Sequence, residues 1–310
     1  MNSNVVRLAP SNQQPELLES IESYLADADL AASSVKVYER TLEALVDQLG
    51  SDASLDSVSR AILAKFLNNR YGHTQPTTFN RNLATIGSFF TWCEDHELVP
   101  VSPARKLKPR KVRISRETER QQRPIPFEQL KALWTDTRHD LRERCYWVML
   151  YETAARAEEL LSINVEHLDT ANKDAVVIGK GGNAERVYWA SPTARLLPRL
   201  IGDRNQGPLF LTHRQPGSHV LPAAADTCPT TGRARLSYRR AAELFNEATD
   251  GKTLHQLRHS ALTHLAEQGE PLTRLKAKSR HSSIRSLERY VAPGPASLRE
   301  MTDKHDTNRR

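Results

Sequence analysis

Five prolines lie between positions 100 and 126 of this chain, in a stretch that separates two long runs of helical pattern. A proline removes a backbone donor and clashes with the preceding helical turn, so this stretch cannot form one regular helix. We expect it to be a linker over 103–124, with one domain before it and another after it. The length of 310 residues agrees with this division, because single domains commonly have about 100–150 residues.

Charge is distributed unevenly among these three segments. Residues 1–102 carry 7 Lys and Arg against 13 Asp and Glu, a net charge of −6. Residues 103–124 carry 9 against 2, a net of +7, and residues 125–310 carry 28 against 22, a net of +6. A basic block of this kind indicates a polyanionic partner, most simply nucleic acid. From charge alone, a solvated linker explains the block equally well.

Apolar residues recur at helical spacing in four segments before the linker, at 16–27, 33–49, 57–71 and 77–95. Glycine with serine at 50–54, and glycine with proline at 72–76, break the pattern between the later segments. We therefore expect a flexible N-terminus over 1–14 and a compact helical domain over 15–102.

The helical pattern resumes after the linker and is interrupted once by a strand pattern. Two β-branched or aromatic runs flank Gly-Lys-Gly-Gly-Asn at 179–183, which predicts a β-hairpin. Helices are expected at 127–134, 141–153, 233–248, 254–268, 272–278 and 284–291, with a short one near 296–303. The fold class is therefore mainly α with a small hairpin or sheet, in a second domain over 125–291 that is followed by a C-terminal tail over 292–310.

Composition excludes several classes of protein. No apolar run approaches the ~18 residues of a membrane span, and the first 15 residues lack the pattern of a secretory signal. Cys93, Cys145 and Cys228 lie far apart without a C-x-x-C pair, which argues against a disulfide framework and against a thiolate zinc site. We expect a cytoplasmic protein with no membrane partner.

The densest group of chemically capable side chains lies near the C-terminus. His255 and Arg258 are three residues apart, so on a helix an imidazole and a guanidinium can meet one anion. His255 and His259 are four apart, a spacing that also fits zinc. The H-E-x-x-H metalloprotease pattern needs Glu in second place, however, and Gln256 stands there while Arg258 adds a cation. This argues against a metal site.

Three further residues each have a plain structural explanation when taken alone. Arg156 precedes Glu159 by three residues, so the carboxylate can orient the guanidinium, but such a pair is often only a surface ion pair. Lys180 at the hairpin tip can reach a ligand or stay solvated. Tyr290 ends a basic helix, where a tyrosine is more often a packing residue than a nucleophile.

The order of these residues resembles that of the tyrosine recombinase, or phage integrase, family, and most closely its Xer-like site-specific recombinases. The matching motifs are an Arg-x-x-Glu-Leu turn at Arg156, a Gly-Lys-Gly hairpin followed by Glu185-Arg186, a His-x-Leu-Arg-His-Ser helix at His255, and His-Ser-Ser-Ile at His281, nine residues before Tyr290. Segments 32–38 and 77–90 resemble an early helix and the last helix of the family's core-binding domain, and 99–104 resembles its exit to the linker. The resemblance covers nearly the whole chain.

This resemblance implies a SAM-like core-binding domain and a catalytic domain that form a C-shaped clamp around double-stranded DNA. It implies recombination through a 3′-phosphotyrosine intermediate, with no metal and no cofactor, by a homotetramer on two synapsed sites that is a monomer or dimer otherwise. A nucleoid-associated location follows. It also implies that the C-terminal tail docks on a neighbouring subunit, although a frayed terminus is the alternative.

By the same resemblance, the catalytic residues are Arg156, Lys180, His255, Arg258, His281 and Tyr290, with Glu159 orienting Arg156. DNA contacts are expected at Lys65, Arg70, Arg81, Arg105, Lys106, Lys108, Arg110 and Lys111. Two other functions remain open: DNA relaxation like that of a type IB topoisomerase, and DNA binding by a non-catalytic regulator with the same fold.

Two positions depart from the family pattern. Ala155 stands where Leu commonly precedes the first arginine, and Arg280 stands where Gly usually precedes the second histidine. Glycine normally gives a tight turn at that place. We therefore expect Arg280 to alter the local backbone or to add a phosphate contact.

Overall fold

The structure of this protein is a computed structural model. It describes residues 16–28, 30, 32–112, 123–179, 182–217, 219, 222–281, 283–287, 290, 299 and 302–303. The chain divides into two compact units, 1–114 and 115–310. Lys180 and most of the C-terminal tail, with the docking predicted for it, lie outside the described residues.

The first unit is a bundle of helices, as its apolar spacing predicts. Its helices are α1 (Leu17–Asp27), α2 (Ala32–Leu49), α3 (Arg60–Tyr71) and α4 (Pro76–Asp95), and a short 3₁₀ helix, Leu55–Ser57, precedes α3. Pro76 begins α4, where its missing N–H costs no hydrogen bond. The side chain of Ser59 caps α3 by accepting a hydrogen bond from the backbone N–H of Ile62.

Aromatic rings fill the core between α1 and α4. The ring of Phe89 lies 5.5 Å from that of Tyr24 and 4.8 Å from that of Phe90, both in edge-to-face geometry. Two buried polar side chains satisfy each other, because Thr41 donates to Asn82 Oδ1 at 2.7 Å. The bundle therefore has a core of its own.

Arg110, near the start of the predicted linker, packs onto this first unit. Its guanidinium carbon lies 3.8 Å from the centre of the Phe79 ring, and its two Nη atoms donate to Gly72 O at 2.6 Å and to Asn68 Oδ1 at 3.0 Å. The Asn80 side chain pairs with the backbone N–H and C=O of Arg110. The chain up to Arg110 is thus fixed to the helical bundle.

The second unit is built around one largely buried helix. Its described helices are α5 (Phe127–Thr135), α6 (Leu141–Thr153), α7 (Ala157–Leu161), α8 (Ser191–Ile201), α9 (Tyr238–Ala248), α10 (Leu254–Glu267) and α11 (Leu272–Ser279). Every residue from Cys145 to Leu150 in α6 is buried, and α6 packs against α5, α8 and α10. A run of six consecutive buried residues covers every side of a helix, so this part of α6 requires neighbours all round.

A small antiparallel sheet accompanies these helices. It consists of β1 (Leu168–Asp169), β2 (Asp174–Ile178) and β3 (Ala184–Tyr188), in that spatial order. In the hairpin, Val176 lies opposite Arg186 and Ile178 lies opposite Ala184. The predicted fold class, mainly α with a small β-hairpin or sheet, is confirmed.

Some elements differ from those that the local pattern predicts. Helix α8 was not predicted, because prolines such as Pro192 and Pro198 usually interrupt a helical pattern. Helix α9 begins at Tyr238 rather than at 233, because Ala234 and Arg235 form bridges with extended segments. The helix predicted over 284–291 begins as a 3₁₀ helix, Ile284–Ser286. No helix among the described residues is long and apolar enough to cross a membrane.

Candidate active site

Arg156 stands at the junction of α6 and α7. Helix α6 ends where Ala154 adopts a left-handed conformation with φ of 49°, and Arg156 is the N-cap residue of α7. The carboxylate of Glu159 accepts hydrogen bonds from the backbone N–H of Arg156 at 2.8 Å and from its Nη1 at 2.6 Å. Because the Arg156 side chain is 39% exposed and that of Glu159 is 5% exposed, the guanidinium is held in place yet accessible.

Arg258 lies almost completely inside the protein, with 4% of the residue exposed. Its Nη1 donates to Ala154 O at 2.5 Å and its Nη2 donates to Ser279 O at 2.6 Å. Burial, with the nearby charges of Arg156 and Arg280, lowers the pKa of Arg258 to about 10. The group therefore keeps its positive charge at neutral pH.

The first turn of α10 presents His255 at the surface. Thr253 and Gln256 form a capping box there, in which Thr253 N donates to Gln256 Oε1 at 2.9 Å and Gln256 N donates to Thr253 Oγ1 at 3.2 Å. Gln256, which stands where a metalloprotease helix would have Glu, thus has a structural role. Among the described residues, no group of His, Cys, Asp or Glu is arranged to hold a metal ion.

One cavity of about 430 Å³ brings together four of the predicted catalytic residues. Arg156, His255, Arg258 and His281 all line it. Nδ1 of His281 lies 2.6 Å from the hydroxyl of Ser279, the residue whose carbonyl oxygen also accepts from Arg258. Two guanidinium groups and two imidazoles around one opening make a site suited to an anion such as a phosphate.

Tyr290 is 7% exposed and packs in an apolar cluster with Leu262, Leu275 and Leu287. Its ring lies 4.8 Å from the ring of His259 and 6.4 Å from that of His281, measured between ring centres. It is also close enough to Arg258 for its charge to affect the pKa of that guanidinium. The phenol thus lies beside the cavity residues.

His259 lies beside Tyr290, although it was not among the predicted site residues. The spacing of His255 and His259 suggested only a zinc site, whereas the structure puts the His259 ring against Tyr290 and its Nδ1 3.2 Å from the Thr263 hydroxyl. A usable signal was its place directly after Arg258 in the sequence.

The structure bears on one of the two expectations for Arg280, that it alters the local backbone. It takes the left-handed conformation that glycine would take, with φ of 56°, so the tight turn is kept. Its side chain is 6% exposed and forms ion pairs with Glu159 and with Glu185. Burial raises the pKa of the Glu159 carboxyl, but the hydrogen bonds from Arg156 and the charge of Arg280 outweigh burial and hold that pKa below its ordinary value.

The hairpin that carries Lys180 begins next to these ion pairs. Gly179 N donates to Asn183 O at 2.9 Å, which closes the described base of the turn, and Lys180 itself lies outside the described residues. A second cavity of about 540 Å³ is lined by residues that include Arg156, Glu185, Arg280 and His281. It shares Arg156 and His281 with the first cavity.

All eight residues predicted to contact DNA belong to the first unit. Lys65 and Arg70 lie on α3, Arg81 lies on α4, and Arg105, Lys106, Lys108, Arg110 and Lys111 follow α4. All but Arg110 are exposed. Arg105 lies 4.0 Å from Glu94, and the guanidinium of Arg110 is held by Phe79 and two oxygen acceptors, as described above.

Comparison with known proteins identifies the family. Residues 123–296 match the phage integrase family, and residues 19–97 match the phage integrase N-terminal SAM-like domain. The tyrosine recombinase XerC of Mycobacterium tuberculosis (strain ATCC 25177 / H37Ra) is 26% identical over 301 residues, which cover 93% of this chain and 97% of that protein.

Two solved structures share the fold. The Tn1549 transposon integrase in complex with transposon right end DNA has a TM-score of 0.65 at 15% identity, covering 94% of this chain and 99% of that one. A lambda integrase dimer bound to a COC′ core site has a TM-score of 0.67 at 13% identity, covering 89% of this chain and 94% of that one. The phage integrase match covers more than half of the chain and confirms the resemblance found in its motifs: this protein belongs to the phage integrase family, the family of tyrosine recombinases.

Proposed function

We propose that this protein is a site-specific DNA recombinase that cuts and rejoins double-stranded DNA through a 3′-phosphotyrosine intermediate on Tyr290. The observation that carries the proposal is the cavity lined by Arg156, His255, Arg258 and His281, with the centre of the Tyr290 ring 6.4 Å from that of the His281 ring. The relatives add support, because one is named a tyrosine recombinase and the solved integrases are bound to DNA.

In this proposal, Arg156 and Arg258 hold the phosphate. Charge builds up on the non-bridging oxygens as the phosphodiester passes through a pentacovalent transition state, and planar guanidinium groups can bind such oxygens in bidentate fashion. Arg258 uses one N–H of each Nη for a backbone carbonyl, and within the described part of the chain three of its five N–H groups are left for a ligand. Its orientation is fixed before substrate arrives.

Tyr290 is the proposed nucleophile. A tyrosine hydroxyl has a pKa of about 10 and attacks poorly until a neighbour favours loss of its proton. The Arg258 charge favours the phenolate, and a histidine among those next to the ring can accept the proton. The tyrosine oxygen then forms a bond to phosphorus and the bond to the 5′ oxygen breaks.

Lys180 is the proposed general acid, which gives a proton to the departing 5′ oxygen. His255 and His281 bind the phosphate through their imidazoles. Because the phosphotyrosine bond conserves the energy of the phosphodiester, a 5′ hydroxyl from a second duplex can reverse the attack without a nucleotide cofactor. Rejoining to that second duplex is recombination, and we propose that a homotetramer on two sites carries it out.

A nicked suicide substrate tests the nucleophile. Wild-type protein should form a covalent adduct on a denaturing gel, and Tyr290→Phe should bind DNA equally well without forming any adduct, because only the attacking oxygen is lost. Tyr188→Phe is the matched control, since Tyr188 is 56% exposed on β3 and should react like wild type. An adduct in Tyr290→Phe would contradict the assignment.

The same assay separates the other two functions. A protein that only binds DNA gives no adduct, and one that only relaxes DNA gives an adduct without strand exchange between two duplexes.

Lys180→Ala should cleave ordinary DNA slowly but recover when sulfur replaces the 5′ bridging oxygen, because a thiolate leaves without a proton. Absence of recovery would mean that Lys180 is not the general acid.

A further inference from the structure

Arg280 occupies a backbone conformation that ordinary side chains rarely adopt. It ends α11 with φ of 56° and ψ of 38°, in the left-handed region that favours glycine. An arginine held there is strained unless its side chain makes contacts that offset the strain. We therefore expect the Arg280 side chain to make contacts that stabilise this conformation.

The guanidinium of Arg280 joins two separate elements. Its Nη2 bonds to Oε2 of Glu159 on α7, and its Nε lies 2.9 Å from Oε2 of Glu185 on β3. Among the residues that the structure describes, no hydrogen-bond donor reaches this Glu185 oxygen. The ion pair with Arg280 therefore balances a carboxylate oxygen that is shielded from water.

Glu159 adjoins a proposed catalytic group, and Glu185 adjoins the residue that precedes one in the sequence. Glu159 accepts from Nη1 of Arg156 through its other oxygen, Oε1. Glu185 lies against Gly179, because a Cβ added to Gly179 would be 3.1 Å from Glu185 Oε2. Lys180 follows Gly179 in the sequence. A continuous set of contacts thus leads from the phosphate-binding guanidinium to the turn that carries the lysine.

We propose that Arg280 is a positioning residue that couples Arg156 to the β2–β3 hairpin, so that the phosphate clamp and Lys180 act on the same phosphodiester. The inference rests on the proposed function. Direct phosphate binding by Arg280 fits less well, because Arg280 is not among the residues that line the cavity shared by Arg156 and Arg258. Two carboxylates already lie on its Nε and Nη2 sides.

Arginine suits this role because its guanidinium donates a hydrogen bond to Glu159 through Nη2 while its Nε lies at ion-pair distance from Glu185. A lysine ammonium is a single point charge and cannot hold the same fixed geometry toward Glu159 and Glu185. Arg280→Lys should therefore keep the charge but lose the coupling. Arg280→Asn removes the charge as well, while asparagine tolerates the left-handed conformation.

The test is single-turnover cleavage of two suicide substrates, one with the normal 5′ bridging oxygen and one with sulfur in its place. Arg280→Asn should cleave the oxygen substrate more slowly by on the order of tenfold to a hundredfold, because a small misplacement of a catalytic group has an effect of this size. Its deficit on the sulfur substrate should be much smaller, since that substrate does not need the lysine proton. Arg274→Asn is the matched control on the same helix, because Arg274 is 76% exposed and pairs with Glu270 at the surface.

A second variant approaches the contact from the other side. Glu185→Gln should give the same preference for the sulfur substrate, and the double variant with Arg280→Asn should be no slower than the slower single variant. If Arg280→Asn does not fold, Arg280→Gly removes the guanidinium and the backbone strain together. Thermal unfolding of each variant identifies those that are folded.

Equal deficits on both substrates would contradict the coupling to the hairpin, and absence of a deficit in folded Arg280→Asn or Arg280→Gly would contradict any positioning role. Wild type and Lys180→Ala in the same assay keep the two proposals apart. A wild-type protein that forms no adduct contradicts the proposed function. An adduct from wild type together with undiminished cleavage by the Arg280 variants contradicts the inference alone.

Discussion

The two guanidinium groups of the candidate site are held by different kinds of partner. Arg258 is buried between two neutral carbonyl oxygens, those of Ala154 and Ser279. Arg156 is partly exposed and held by a carboxylate, Glu159, which it shares with Arg280. Neutral dipoles fix the first group with no dependence on the protonation state of a partner, whereas the second depends on a charge that acid can remove. The site therefore combines one cation whose holder is insensitive to pH with another whose holder loses its charge in acid.

The two neutral carbonyl oxygens that hold Arg258 both lie at the ends of helices. Ala154 and Arg280 are the C-cap residues of α6 and α11, and both take left-handed conformations. Such caps stop a helix and leave carbonyl oxygens of the last turn without helical partners. Arg258 reaches one such carbonyl near each helix end, so the fold positions the guanidinium by satisfying its own backbone.

Replacing each arginine with lysine gives the largest expected difference. Arg258→Lys should lower the cleavage rate by on the order of 10²–10³-fold, because a lysine cannot hold both carbonyls and the phosphate. It should also lower the free energy of unfolding by about 1–3 kcal/mol, since one buried carbonyl loses its donor. Arg156→Lys keeps a cation beside Glu159 and should cost less than about 1 kcal/mol.

Chemical denaturation and single-turnover cleavage measure the two quantities. Equal losses of unfolding free energy in the two lysine variants would break the contrast between a neutral and a charged holder. A loss confined to Arg156→Lys would reverse it.

The next effect comes from the shared carboxylate. Glu159→Gln removes the charge between Arg156 and Arg280, and it should lower the free energy of unfolding by about 1.5–3 kcal/mol, the usual range for hydrogen bonds to charged groups. Glu158→Gln is the control, because Glu158 is an exposed neighbour on the same short helix and its change should stay within about 0.5 kcal/mol. Similar denaturation midpoints for the two variants would show that Glu159 does not hold this charge cluster together.

Acid should act on the charged holder. The folded-state pKa of Glu159 is lowered from its ordinary 4.5, so the folded protein binds this proton less tightly than the unfolded chain does. The stability that the carboxylate contributes is therefore fully present above that ordinary value and is lost as pH falls through the lowered folded-state pKa. The difference in unfolding free energy between wild type and Glu159→Gln should be constant near neutral pH and should shrink in that acid range. A difference that grows on acidification would contradict this sign.

The sequence predicts the local elements and the motif residues of this site, but not the contacts between residues that are far apart in the sequence. Periodicity locates α6 and the hairpin, because their signals are local, and the motif order selects Arg156, His255 and Arg258. Helix α8 is not predicted, because Pro192 and Pro198 normally indicate that a segment is not helical. The ion pairs of Arg280 could not be predicted for another reason. Its partner Glu159 is 121 residues away, and residue type alone does not reveal which carboxylates surround a buried arginine.

The smallest effect concerns the basic residues after α4, where the contrast between a cation tied to the protein and an exposed one recurs. Arg110→Ala should lower the free energy of unfolding by about 1 kcal/mol, because Phe79 loses a cation above its ring and two side-chain hydrogen bonds disappear. Lys106→Ala with Lys108→Ala should leave stability unchanged, since both side chains are exposed.

The same variants have a second readout in DNA binding. If these two lysines contact phosphates, each loss should flatten the plot of log K for DNA against log salt by about 0.9 in slope. Because phosphate contacts carry no base information, the weaker binding should be equal across DNA sequences. A slope that changes with Arg110→Ala but not with the lysine pair would show that the cation above Phe79 is the one that meets DNA.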